Sequence, residues 1–491
     1  MVQSEKFKSA FSMHRNGQLT QACDLYKEIL KSEPENDEVW DLLGVLYCQA
    51  ERFDEAEDCI LKAIEIRPLI YYISNLAQLY LKKGDFPAAI KYYGNLISGK
   101  GDNYENRFNL AMAYKNNNEL DKAEKAYYKA IDLKPESHEA YFNLAAVYIA
   151  QNNPHKAIEA YKKAIELKPD DWESEYFLSL AYMKSKDYKN GLECFESRLC
   201  KQSAIMSQYK TYPTLVEKKP LWKGEDLSNK VLYTYYEAGF GDILMFYRFM
   251  PELVSKCKKV IFKPQKELVN LFRENSYGAE IMDLFCPESE FYFDYHIPFL
   301  SIPYILDKSG DEMFIHHDDG YIRANVEKTQ KFKNIFFNND KFKIGIKWQG
   351  NTYYEKNRVL NVEDFFPLFG IEGTQFYSCQ TYEGSEEFEK IRSRYSVIDL
   401  APSFGDFSDT AAAVENLDLI ICNDTSLAHL AGAMGKKCFV LLPYLYNWRW
   451  HTDLSKCDWY DSVKIYYQKS PESWFEVFRL VEKDLKKILN K

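Results

Sequence analysis

Residues 106–136 read NRFNLAMAYKNNNELDKAEKAYYKAIDLKPE, and residues 140–170 read AYFNLAAVYIAQNNPHKAIEAYKKAIELKPD. The two strings share a period of 34 residues, which extends outward from them over the first part of the chain. Small residues recur at Gly44, Ala77, Ala111 and Ala145, with Tyr47, Tyr80, Tyr114 and Tyr148 one turn later. A second small residue recurs at Ala22, Ala56, Ala89, Ala123 and Ala157, and Pro34, Pro68, Pro135 and Pro169 close the units. This is the pattern of a helical hairpin: small residues let two antiparallel helices approach, aromatic rings fill the gap, and proline stops the second helix. One hairpin cannot bury its apolar face, so several must stack into a solenoid. Five units fit residues 3–171, and a sixth, ESEYFLSLAYMKSKDYKNGLECFESRL at 173–199, is degenerate and reads as a last repeat or as the transition into the next domain. There Gly191 replaces the second alanine and Arg198 falls on an apolar position.

Period and residue types resemble the tetratricopeptide repeat. Asn75, Asn109 and Asn143 stand 34 residues apart on the first helix of successive units. In a stacked array such positions form a row on the concave face, where amides can hydrogen-bond an extended acceptor peptide without reading its sequence. The same asparagines also suit repeat packing alone.

The periodicity stops before Leu221, and residues 206–221 read as a connector. Strand-like and helix-like segments then alternate, which argues for parallel sheets with right-handed crossovers. Val231–Tyr236, KKVIFKP, FYFDYHIPFLSIPYIL (a strand and turn), FKIGIKWQG, TQFYSCQ, SVIDLAP, LDLIICN and KCFVLLP hold the expected strands. Two strand-to-helix turns stand out, EAGFGDILMF at 237–246 and ICNDTSLAHLAGAMG at 421–435. The chain ends in an amphipathic helix.

The wording P-x-W-x-G-E-D-L near Pro220, E-x-G-x-G-D ending at Asp242, K-I-G-I-K-W-x-G-N ending at Asn351 and N-D-T-S-L-A-H-L-A-G-A-M-G-K from Asn423 resembles the repeat-containing bacterial glycosyltransferases related to heptosyltransferases. It is more distantly similar to protein O-GlcNAc transferases. The resemblance implies an all-α tetratricopeptide-repeat solenoid followed by an α/β GT-B fold of two Rossmann-like lobes. The expected layout is a solenoid at 1–205, the connector at 206–221, an acceptor-side lobe at 222–325, a nucleotide-sugar lobe at 326–475 and the terminal helix at 476–491.

In the second turn, a strand delivers the chain to Asn423 and a helix begins just after. Free N–H groups at a helix start attract anions. Thr425 and Ser426 add hydroxyls, and His429 lies one turn on, on the same face as Thr425. A nucleotide-sugar diphosphate is the natural ligand for such a crevice, and the resemblance assigns the donor to Asp424, Thr425, Ser426 and His429. The plain alternative is a capped helix with a satisfied core histidine. In the first turn, direct inversion at an anomeric carbon needs a base for the acceptor proton. The matching Gly-Asp of heptosyltransferase-like relatives implies Asp242 for this role, with Gly241 on the acceptor side and Glu237 as second choice; a simple N-cap is the other reading of Asp242. Trp348, Asn351 and Gln380 follow strand ends and join Arg358 as further donor contacts. The Asn-Trp-Arg-Trp run at 447–450 suits either stacking on a ligand or packing. No Cys/His cluster suggests a metal, so no metal or other cofactor is expected beyond the nucleotide sugar as co-substrate.

A net charge of −10 gives no electrostatic footprint for nucleic acid. No apolar run approaches the roughly 20 residues of a membrane span. The 11 cysteines are scattered, as expected of reduced thiols in a cytoplasmic protein. Three functions compete: an inverting, metal-independent transferase acting on a protein held by the repeats, a heptosyltransferase-like enzyme for a glycan or lipopolysaccharide acceptor, and a non-catalytic scaffold with a vestigial transferase domain.

Overall fold

The computed structural model describes residues 5–199, 219–287, 290–308, 313–314, 319–350, 359–392, 394–450, 457–470 and 474–490. The repeats form consecutive helical hairpins: α1 (Glu5–Arg15) with α2 (Leu19–Ser32), α3 (Asp37–Gln49) with α4 (Phe53–Ile66), α5 (Ile70–Lys83) with α6 (Phe86–Ser98), α7 (Tyr104–Asn116) with α8 (Leu120–Leu133), and α9 (His138–Ala150) with α10 (Pro154–Leu167). Each closing proline stands two residues past a helix end, where it no longer interrupts a hydrogen bond. The recurrent alanines are fully buried. Gly44 shows how tight the approach is: a Cβ there would meet Ile60 Cγ1 at 2.5 Å and the Ala56 carbonyl oxygen at 3.0 Å.

Contacts divide the chain into two compact units, Met1–Ser174 and Glu175–Lys491. The sixth hairpin, α11 (Trp172–Lys184) with α12 (Tyr188–Phe195), is the degenerate unit that reads as a last repeat or as the transition into the next domain. Its Met183, Tyr188, Leu192 and Phe195 enter the core of the second unit, so the boundary by contacts lies ahead of residue 205. Of the connector at 206–221, only 219–221 are among the described residues.

Among the described residues, the second unit holds two all-parallel sheets. The first comprises β1 (Val231–Tyr235), β2 (Lys259–Lys263), β3 (Glu280–Ile281) and β4 (Tyr295–Pro298), in the order β3-β2-β1-β4. The second comprises β5 (Phe342–Lys347), β6 (Thr374–Ser378), β7 (Val397–Asp399), β8 (Leu419–Asn423), β9 (Cys438–Leu442) and β10 (Val463–Tyr467), in the order β7-β6-β5-β8-β9-β10. In its own chain order the second sheet runs third, second, first, fourth, fifth, sixth, the order of doubly wound dinucleotide-binding sheets. The central strands β8 and β9 are buried along their whole length, as a doubly covered parallel sheet requires. The order reverses between β1 and β4 in one sheet and between β5 and β8 in the other. At such points the carboxyl ends of the strands open a crevice for a ligand. The helices that matter for the site are α13 (Phe240–Phe246), α14 (Val326–Phe336), α15 (Phe407–Glu415), α16 (Ser426–Ala433) and α17 (Phe475–Leu489).

Candidate functional site

β8 ends at Asn423, on the reversal point of the second sheet, and α16 starts at Ser426. Thr425 takes the N-cap position in an extended conformation, and its side chain makes no cap hydrogen bond. The N-cap position is thus held by Thr425 rather than by the Asp or Ser of the plain reading. At the other end of α16, Gly435 adopts a φ of +68° and the Lys436 N–H donates to the Ala431 carbonyl at 2.9 Å, a glycine-dependent stop. Gly350 lies just beyond β5, on the other side of the reversal point. A Cβ at Gly350 would meet Thr425 Cγ2 at 3.0 Å, so glycine lets the two strand ends come together.

His429 and Asp424 are both buried, with Nε2 of the ring 3.9 Å from Asp424 Oδ1. Nδ1 of His429 lies 3.1 Å from the Tyr460 hydroxyl, and the ring stacks on Trp450 with centroids 5.2 Å apart. Behind Tyr460 sits the fully buried guanidinium of Arg248. It donates to the carbonyls of Met245 at 2.9 Å and Trp459 at 3.0 Å, and lies about 5.1 Å from the Tyr321 and Tyr460 rings. His429 is thus a fixed ring with one nitrogen anchored and the other turned towards Asp424.

α13 packs on α16 beside this ring. A Cβ at Gly241 would meet His429 Cδ2 at 2.8 Å. Asp242 is not the N-cap: Gly239 holds that position and Asp242 is the third residue of the helix. Its carboxylate accepts instead from Arg449, whose Nε reaches Asp242 Oδ1 at 2.7 Å and whose NH2 shares that oxygen. Both tryptophans of the 447–450 run are buried, which favours packing for them.

Glu237 does not suit the second-choice role of base. It is buried and held by Arg198, with Nε to Oε2 at 3.0 Å and NH2 to Oε1 at 2.7 Å, and it also accepts from the Leu300 N–H at 3.1 Å. Burial pushes its carboxyl upward, against the pull of Arg198 and the Leu300 amide. This contact explains the charged residue on an apolar position of the sixth hairpin: Arg198 turns into the α/β core and braces the loop that leads to Asp242. Trp348 and Gln380 also depart from expectation. Trp348 is fully buried and donates through Nε1 to the Gly384 carbonyl at 3.2 Å. Gln380 accepts from the N–H groups of Trp348 and Gln349 at 3.0 and 2.9 Å and donates to the Glu383 carbonyl at 2.6 Å. The two shape the turn after β5 rather than line its surface. Asn351 and Arg358 lie outside the described residues.

In the repeats, Asn75 donates to both oxygens of Asp41 at 3.0 and 2.8 Å. Asn143 accepts from Lys115 at 3.0 Å and donates to the Glu139 carbonyl at 3.0 Å, while Asn109 is half-buried. Asn75 and Asn143 therefore serve repeat packing, and the row is not three uncommitted amides. Among the described residues, no group of three or more His, Cys, Asp or Glu side chains is placed to hold a metal ion, and no helix is long and apolar enough to cross a membrane.

Models described as tetratricopeptide repeat match residues 13–79, 74–138 and 138–171. The amino-terminal part of the chain is thus a solenoid of these repeats, which typically bind peptide partners and act as protein-interaction scaffolds. Among solved structures, MamA 41-end from Desulfovibrio magneticus RS-1 is 20% identical, with 35% of this chain and 99% of that one covered and a TM-score of 0.32. YrrB, titled a TPR protein with an unusual peptide-binding site, is 22% identical over 35% of this chain and 89% of its own, with a TM-score of 0.31. PilW, titled a widely conserved type IV pilus biogenesis factor, is 16% identical over 41% and 96%, with a TM-score of 0.37. No curated protein matches the chain.

Proposed function

We propose that the second unit is a GT-B glycosyltransferase that moves a sugar from a nucleotide-sugar donor to a protein bound by the repeats. The observation that carries this reading is the head of α16, whose N-cap Thr425 makes no side-chain cap hydrogen bond, at the order reversal of a doubly wound sheet, with Gly350 and Thr425 in contact there and α13 against His429. A diphosphate at that head meets backbone N–H groups and the positive end of the helix. Counter-charge for the leaving nucleoside diphosphate then comes from fixed protein groups, where electrostatic stabilisation acts on the transition state. Asp242, one residue from Gly241, takes the acceptor proton, and inversion follows from a single displacement. The repeats supply the acceptor, because an array of this kind offers an extended surface to a polypeptide.

Thermal melting of the full chain with UDP-, GDP-, ADP- and CMP-sugars tests the reading. One nucleotide class should raise Tm, by the equivalent of about 2.7 kcal/mol at a hundredfold excess over Kd. His429→Ala should lose most of that gain. If no nucleotide sugar stabilises the wild type, the transferase is withdrawn and the repeat scaffold is what remains.

A further inference from the structure

Arg449 has no part in the reading above. It stands between two buried tryptophans, and Trp450 lies against the His429 ring. Arg449 itself reaches back to α13 and lays Nε and NH2 on one oxygen, Oδ1, of Asp242. The two side chains keep 16% and 14% of their surface exposed, so the pair is at the edge of the unit's interior rather than sealed within it. An oxygen that holds two guanidinium N–H groups has no lone pair left for an acceptor hydroxyl. While the pair is closed, only Oδ2 of Asp242 is left to accept from an acceptor hydroxyl. The same guanidinium is a fork suited to phosphate, and it follows β9, the strand next to β8 at the crevice.

We infer that Arg449 is an exchangeable cation that the donor diphosphate takes from Asp242, so that donor binding frees Oδ1 of that carboxylate for the acceptor. The inference rests on the proposed diphosphate site. The pair keeps some contact with solvent, and a bidentate arginine–phosphate contact can compete with it for the guanidinium. In the transfer step the acceptor oxygen bonds to the anomeric carbon as the bond from that carbon to the diphosphate oxygen breaks. The electron pair stays on the diphosphate, where Arg449 now meets it, and the acceptor proton passes to the freed Asp242 carboxylate.

Calorimetric titration of the full chain with inorganic pyrophosphate and with UDP tests the exchange. Asp242→Asn removes the competitor and should tighten pyrophosphate binding about threefold to fivefold. Arg449→Ala should weaken it by about tenfold or more. The double variant should show the loss without the gain, because the gain acts through Arg449. If wild type binds either probe and Asp242→Asn binds no tighter, or if the gain persists without Arg449, the exchange is overturned and the diphosphate site stands. If neither probe binds wild type or Asp242→Asn, both fall together.

Discussion

Asp41→Asn should stabilise the repeat unit at neutral pH. Asp41 sits on α3 at 3% exposure, and the Asn75 side-chain amide on α5 donates to both of its oxygens. Burial pushes its carboxyl from 3.8 to about 6; the Asn75 hydrogen bond pulls the other way, and Asp37 and Glu38 add to the rise. The folded state therefore keeps a proton that the unfolded chain has lost, and stability falls as pH rises through the window from 3.8 to about 6. Above that window the full cost remains, about 3 kcal/mol at 1.36 kcal/mol per pH unit between the two values. An asparagine keeps an acceptor for Asn75 and carries no charge to bury. Its own NH2 needs a partner, so the expected gain at pH 7.5 is about 1–3 kcal/mol. It should shrink towards zero well below the unfolded value of 3.8, at about pH 3, where both states of the wild type are protonated. Hydrogen exchange of α3 and α5 in the full-length protein reads this local stability at both pH values. A variant no more protected than wild type at pH 7.5, or equally more protected at both, refutes the reasoning.

Arg198→Met should destabilise the second unit by about 3–5 kcal/mol, because it strands Glu237 without its bidentate partner. Arg198→Met with Glu237→Gln should recover a large part of that loss in urea unfolding; no recovery would mean that the arginine acts through packing alone. Gly241→Ala should cost about 1–3 kcal/mol, since the added methyl meets a ring that is stacked on Trp450 and cannot retreat; an unchanged melting temperature would show that α13 and α16 do not meet as described. Lys184 donates to the Tyr446 carbonyl and, among the described residues, has no carboxylate hydrogen-bond partner, and burial lowers its ammonium to about 8. Its folded value lies below the unfolded one, so it penalises folding below pH 8, and the penalty is relieved as pH rises from about 8 to 10.5. Lys184→Met should therefore raise the melting temperature at pH 7 and lose most of that advantage at pH 10.

The repeats were legible because their signal is local: each small residue, tyrosine and proline acts within one hairpin or on its neighbour. The central strands were legible for a related reason, as LIICN and CFVLL are short apolar runs next to turn residues. The edge strands β3 and β10 were missed, being two residues long in one case and alternating with exposed Lys464 in the other. The Asn423–Ser426 turn could be read as a strand-to-helix junction, but its position at the reversal of sheet order depends on all six strands. Side-chain roles were hidden by long sequence separations. Asp242 and Arg449 are 207 residues apart, and Glu237 and Arg198 are 39 apart. Nothing local distinguishes a glutamate that will serve as a base from one that will be buried against arginine. A signal was present in Arg198 itself, since a guanidinium on an apolar repeat position needs an anion from elsewhere. Gly350 carried a similar signal, following a strand where a glycine leaves room for the Thr425 side chain. Trp348 and Gln380 were placed correctly at strand ends, but their side chains turn inward to brace the turn.

The most direct test is a crystal structure of the full chain grown with the nucleoside diphosphate that best stabilises it. The expected result is a diphosphate oxygen about 3 Å from the backbone nitrogens of Ser426 or Leu427. A nucleotide bound elsewhere, with the head of α16 still unoccupied, would contradict the account.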